Sequence, residues 1–213
     1  MTDNPLPAVE FTVRTIAQTA VANEKYFGDL DAVVGDGDFG YSLARGFEAV
    51  IADWDTFDRA DTATFLRKVA VVITSRIGGT SGPLWGTAFL RAAAAVTGKT
   101  RLGGDDVVAM LRAAAEGIQA RGGAGLGDKT LLDALVPATD ELARQFGQGS
   151  DPHAALRAAA TVARTAADQT AGLQARRGRA SYTGERSIGS VDPGATAVAV
   201  IFEALADTWH DRF

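Results

Sequence analysis

Apolar residues recur along this chain at spacings of three and four, and strict apolar–polar alternation is nearly absent, so the pattern predicts helices and no sheet. Alanine-rich stretches strengthen that reading, because alanine loses no side-chain entropy on entering a helix. The periodicity places helices at about Pro7–Phe27, Gly40–Ile51, Asp61–Ser75, Gly82–Val96, Gly104–Ala120, Asp128–Phe146, Pro152–Leu173 and Pro193–Asp211. Proline punctuates them, since its missing N–H has no intrahelical partner in a first turn. Asp151-Pro152 and Asp192-Pro193 each read as an aspartate cap followed by proline at the first helical position, and Pro83 sits just inside another start. Pro137 lies within a helical run and is expected to bend it or loosen one turn.

The gaps between these eight helices are mostly short, so consecutive helices are expected to pack antiparallel. No linker, repeat or low-complexity tract divides the chain, and residues 1–213 read as one all-α domain. The one long interruption is Gln174 to Asp192, QARRGRASYTGERSIGSVD, and a loop of that length in a compact domain is usually functional or mobile.

Composition narrows the chemistry. A chain of 213 residues with 46% hydrophobic content buries a core without covalent staples. With no cysteine there is no disulfide framework, thiolate zinc site or cysteine nucleophile. His153 and His210 are the only imidazoles, and nothing near them suggests a triad. Trp54, Trp85 and Trp209 read as packing residues. Apolar runs such as Val69 to Ile73 fall far short of the ~20 residues of a membrane span. The start MTDNPLPAVEF lacks a basic segment followed by an apolar run, so a cytoplasmic protein is expected. A net charge of −5 argues against nucleic acid and leaves room for a cation gathered by acidic side chains.

Four glycine-containing segments stand between helices: LDAVVGDGDFG (30–40), RIGGTSGPLWG (76–86), RGGAGLGDKTLLDAL (121–135) and the long loop. In an up-and-down bundle the links after the first, third, fifth and seventh helices fall at one end, and these are the four. In the first segment, Asp31, Asp36 and Asp38 repel one another unless a cation neutralises them, and magnesium is the natural hard ion for such ligands. The competing reading is that some of them cap the next helix and the others are solvated. An EF-hand is excluded, because the twelfth position counted from Asp36 is Phe47. In the second, Gly78 to Pro83 opens a helix whose free N–H groups, with the Thr80 and Ser81 hydroxyls, suit an anion; an ordinary capped turn is the alternative. The third resembles a phosphate loop but has Asp128 where the lysine is required, and no strand precedes it. Asp128 as a helix cap with Lys129 beside it competes with a polyphosphate neighbour. The fourth carries Arg176, Arg177, Arg179 and Arg186, which suit phosphate or a stacked base, or form a solvated basic loop.

Taken together, GDGDFG, GGTSGPLWG, GDKTLLDAL and GRASYTGERSIGSVDPGA resemble the nucleotide-binding L subunit of the dihydroxyacetone kinase family, in the right order over about Leu30 to Ala195. The resemblance implies a barrel-like bundle of eight antiparallel helices with ADP or ATP at one rim. It implies two Mg2+ on Asp31, Asp36 and Asp38, bridging the nucleotide phosphates. Phe39, Gly40, Tyr41 and Ser42 would follow them, Thr80 and Ser81 would meet phosphate, and Gly122, Leu131, Arg179, Asp192, Pro193 and Gly194 would surround the rest. The substrate, dihydroxyacetone or a related ketose such as erythrulose, would sit on a separate K subunit, and nothing in this chain matches that subunit. Two donor modes exist in the family: ATP exchange, and resident ADP recharged by a phosphotransferase-system M subunit. Phe39, where relay-fed members often carry histidine, favours ATP; a free-standing L chain favours the relay. A homodimer is left open, and a non-catalytic nucleotide- or lipid-binding regulatory module is the rival reading.

Overall fold

The computed structural model describes residues 4–209, so His210 and the expected last turn to Asp211 lie outside the described residues. Nine α-helices occur among them, and no strand: α1 (Leu6–Ala22), α2 (Glu24–Asp31), α3 (Phe39–Ala52), α4 (Thr62–Arg76), α5 (Ser81–Ala95), α6 (Gly104–Gly122), α7 (Leu132–Gly147), α8 (Pro152–Gln169) and α9 (Pro193–Trp209). Short 3₁₀ segments follow α3 and α8 and occupy Arg179–Ser187.

The ninth helix arises because the first expected rod breaks at Asn23. That residue leaves helical geometry (φ −105°, ψ 16°) while its side-chain amide donates to the Thr19 carbonyl at 2.8 Å, closing the end of α1. α2 then extends to Asp31, further than the periodicity predicted, and places that aspartate on the last helical turn. Both aspartate–proline starts hold: Asp151 accepts from the N–H groups of His153 and Ala154, and Asp192 from Ala195 N–H at 2.7 Å. Asp128 does not start α7. Its carboxylate accepts from Gly125 N–H within a turn, while Asp133, inside the helix, reaches back to the Thr130 and Gly127 N–H groups.

With α1 and α2 counted as one broken rod, eight rods close into a ring. α1 packs on α3, each later helix packs on the next through α9, and α9 returns to α1; α2 lies against α3 and α9. The core has two halves. The α1–α5 half is rich in aromatics, with Phe27, Phe47, Phe65, Trp54 and Trp85 buried, and ring pairs such as Trp54–Phe65 with centroids 5.5 Å apart. The α6–α9 half is built on alanine, with Ala155, Ala159, Ala163 and Ala167 forming a fully buried i, i+4 ladder along α8. α9 joins the halves, turning Ala197, Ile201 and Leu205 to the aromatic side and Val198, Ala199 and Phe202 to the other. No helix among the described residues is long and apolar enough to cross a membrane.

Candidate functional site

Asp31 closes α2, Asp36 lies in the turn 32–38, and Asp38 immediately precedes α3. Two glycines make this turn possible. Gly37 has φ +77°, a conformation L side chains rarely adopt, and a Cβ on Gly35 would lie 2.2 Å from Asp31 Oδ1. The result is one carboxylate oxygen from each of Asp31, Asp36 and Asp38 within 4.8 Å of the other two. Asp38 makes no capping bond to α3, so its carboxylate is not spent on the helix. Asp31 accepts from Phe39 N–H at 3.3 Å, which orients it toward the same point. Three oxygen-donor carboxylates so close suit a hard divalent cation. Arg179 supplies positive charge here, pairing with Asp36 and with Asp38 at 3.2 Å.

The first turn of α3 divides its residues. Gly40 is buried, and a Cβ there would meet the Glu24 carbonyl oxygen at 2.0 Å, so it serves the α2–α3 contact. Phe39 packs near Phe27, with centroids 6.2 Å apart, while Tyr41 is exposed beneath the Arg45 guanidinium and Ser42 is half-buried. Thr80 and Ser81 open α5 with no side chain capping it, leaving its first N–H groups available to an anion. Gly122 ends α6 beneath Leu84 of α5, since a Cβ on it would lie 3.2 Å from Leu84 Cδ2. Leu131 lies against Gly194, where a Cβ would come 3.2 Å from Leu131 Cβ, and Asp192, Pro193 and Gly194 start α9.

The four glycine-containing segments therefore meet at one rim. Arg179 ties the long loop to the aspartates, Leu84 joins the second segment to the third, and Lys129 joins the third to the long loop. The Lys129 ammonium donates to the carbonyls of Leu173 (3.1 Å), Ser187 and Ser190 (2.6 Å), and the residue is only 2% exposed. The Lys129 ammonium therefore faces the protein interior and is not itself available to a phosphate. The long loop is also more ordered than its composition suggests, because Arg179–Ser187 is 3₁₀ with a kink at Gly184. Asp128 pairs with Arg176 (4.0 Å) and Arg177 (3.7 Å), and its carbonyl accepts from Arg176 N–H. Of the loop's arginines, Arg179 is the one that reaches the aspartates.

Two desolvated titratable groups lie in this region, the buried Lys129 and the half-buried Asp192. Burial pushes the Asp192 carboxyl up to about 7; the Ala195 N–H and the nearby Lys129 charge oppose this, and Asp133 adds to it. Burial also lowers Lys129, against the pull of Asp192. Sequence reasoning did not single out Asp133 or Ser187, whose hydroxyl accepts from Ala175 N–H and donates to the Gly184 carbonyl. No signal in the sequence separates them from ordinary polar residues.

Comparison with known proteins identifies the family. The DAK2 domain model matches residues 33–207. The chain is 41% identical over 182 residues to the ADP-binding subunit DhaL of the PEP-dependent dihydroxyacetone kinase of Escherichia coli, covering 85% of this chain and 87% of that one. It is 42% identical over 200 residues to an L-erythrulose 1-kinase of Mycolicibacterium smegmatis, covering 92% of this chain and 34% of the relative. Among solved structures, the dihydroxyacetone kinase of C. freundii in complex with AMP-PNP and Mg2+ superposes with a TM-score of 0.76 at 27% identity, over 95% of this chain and 34% of that one. The chain thus spans about a third of those two longer kinases and most of the E. coli subunit. With a matching family model, similar sequences and a shared fold, the chain belongs to the DAK2-domain family, that of the L subunits of dihydroxyacetone kinases.

Proposed function

We propose that this chain is the nucleotide-binding L subunit of a ketose kinase, holding ADP or ATP with magnesium at the rim and passing the phosphoryl group to a ketose on a separate K subunit. The observation that carries this reading is the trio Asp31, Asp36 and Asp38, gathered within 4.8 Å of one another with Arg179 paired to two of them. The trio supplies oxygen ligands suited to magnesium, two ions in the reading the family resemblance implies, and magnesium held there would neutralise phosphate charge. Phosphoryl transfer needs positioning and charge neutralisation more than a side-chain nucleophile. The chain's own parts provide both. The start of α5 with Thr80 and Ser81 faces phosphate, Arg179 brings a planar cation, and Gly122, Leu131 and the Asp192–Gly194 turn border the rest of the nucleotide.

Phe39 after the third aspartate favours ATP as the donor. A phosphoenolpyruvate relay through an M subunit is the second reading, favoured by the E. coli relative of similar length, which is named PEP-dependent. The test is reconstitution with a K subunit and dihydroxyacetone or erythrulose, supplying ATP in one arm and the relay proteins with phosphoenolpyruvate in the other. Ketose phosphate in the ATP arm alone supports the first reading, and in the relay arm alone the second. No product in either arm, with binding of Mg–ADP intact, would favour a regulatory module.

A further inference from the structure

Lys129 is the one described non-glycine residue with a positive φ (63°). Left-handed backbone costs free energy for any residue with a Cβ, and a buried ammonium costs more unless its protons are bonded. Both costs are met at a single position, where all three ammonium protons find carbonyls on the long loop: Leu173 at its start, Ser187 at the end of the 3₁₀ segment, and Ser190 beyond it. The two ends of the loop are thereby gathered onto one atom, and the loop between them carries Arg179 to Asp36 and Asp38.

We propose that Lys129 is a positioning residue: by stapling both ends of the 173–190 loop to the segment before α7, it holds Arg179 over the aspartate trio. Lys129 is too deeply buried to touch nucleotide, and it acts through Arg179. Other bonds tie the two ends to each other (Gly189 N–H to the Ala171 carbonyl, Ala175 N–H to the Ser187 hydroxyl) or one end to the segment before α7 (Arg176 N–H to the Asp128 carbonyl), whereas Lys129 anchors both ends to that segment.

The loop's arginines make trypsin a direct probe of its docking. In the nucleotide-free chain, Lys129→Met is expected to speed nicking between residues 176 and 186 at least tenfold while the thermal melt stays cooperative. If that variant does not melt cooperatively, Lys129→Gln, which keeps an amide donor in place, is used for the same comparison. The second arm is a double-mutant cycle on Mg–ADP affinity, and it rests on the proposed function. Lys129→Met and Arg179→Ala are each expected to weaken binding severalfold, and the double variant to bind no more weakly than Arg179→Ala alone. Unchanged nicking overturns the proposal, as does a Lys129→Met effect that persists in full without Arg179, which would mark general structural damage. A wild-type chain that binds no Mg–ADP overturns the proposed function instead, and the nicking comparison then decides the role of Lys129 by itself.

Discussion

At the scale of single residues, the rim combines exposed carboxylates with charged groups that the fold desolvates. Asp192 belongs to the second kind, and its carboxyl, raised from 3.8 to about 7, makes a signed statement about stability. Below about pH 4 the group is protonated in folded and unfolded chains alike and costs nothing. As pH rises toward 7 the unfolded chain ionises freely while the folded chain resists, so stability falls through that window and levels off above it. Urea unfolding of the nucleotide-free chain between pH 4 and 8 should show that decline. Asp192→Asn, which keeps a capping oxygen for Ala195 N–H, should flatten it. An identical decline in the variant would place its origin elsewhere. The aspartate trio was legible in the sequence because three carboxylates in eight residues are chemically conspicuous. Lys129 was not, because burial and a left-handed backbone are products of the tertiary fold.

At the scale of elements, the site depends on how two helix ends meet. Asp31 ends α2 and Asp38 precedes α3, and these helices cross closely enough that a Cβ on Gly40 would lie 2.0 Å from the Glu24 carbonyl oxygen. Backbone cannot yield as a flexible side chain would. Gly40→Ala should therefore cost about 1–3 kcal/mol in chemical denaturation, and it should also weaken divalent-ion binding by spreading the two aspartates. Full stability with full Mg2+ affinity would show that the crossing is looser than its geometry indicates. Most helices were legible from three- and four-residue apolar spacing and from proline at first turns. The break at Asn23 was not, because the apolar periodicity continues across it. The start of α7 was misread because GDKTLLD offers two aspartates, and Asp133, reaching back to Thr130 N–H, takes the part expected of Asp128.

At the scale of the whole molecule, alternation of up and down helices delivers four distant segments to one rim, and that convergence followed from connection order alone. What each segment does there required the side chains. α9 holds the arrangement together, since one helix serves both the aromatic and the alanine halves of the core. Ile201→Ala, on the aromatic side of α9, should cost about 2–5 kcal/mol and lower the midpoint of a single thermal transition. Two separate transitions would mean that the halves fold independently. The central claim is that the rim is a magnesium-dependent nucleotide site, and calorimetric titration of ADP with and without Mg2+, on the wild-type chain and on Asp36→Ala, tests it most directly. Binding that requires Mg2+ and weakens by at least about tenfold in the variant, a difference of ~1.4 kcal/mol, is the expected result. No binding, or binding indifferent both to Mg2+ and to the loss of Asp36, would contradict it.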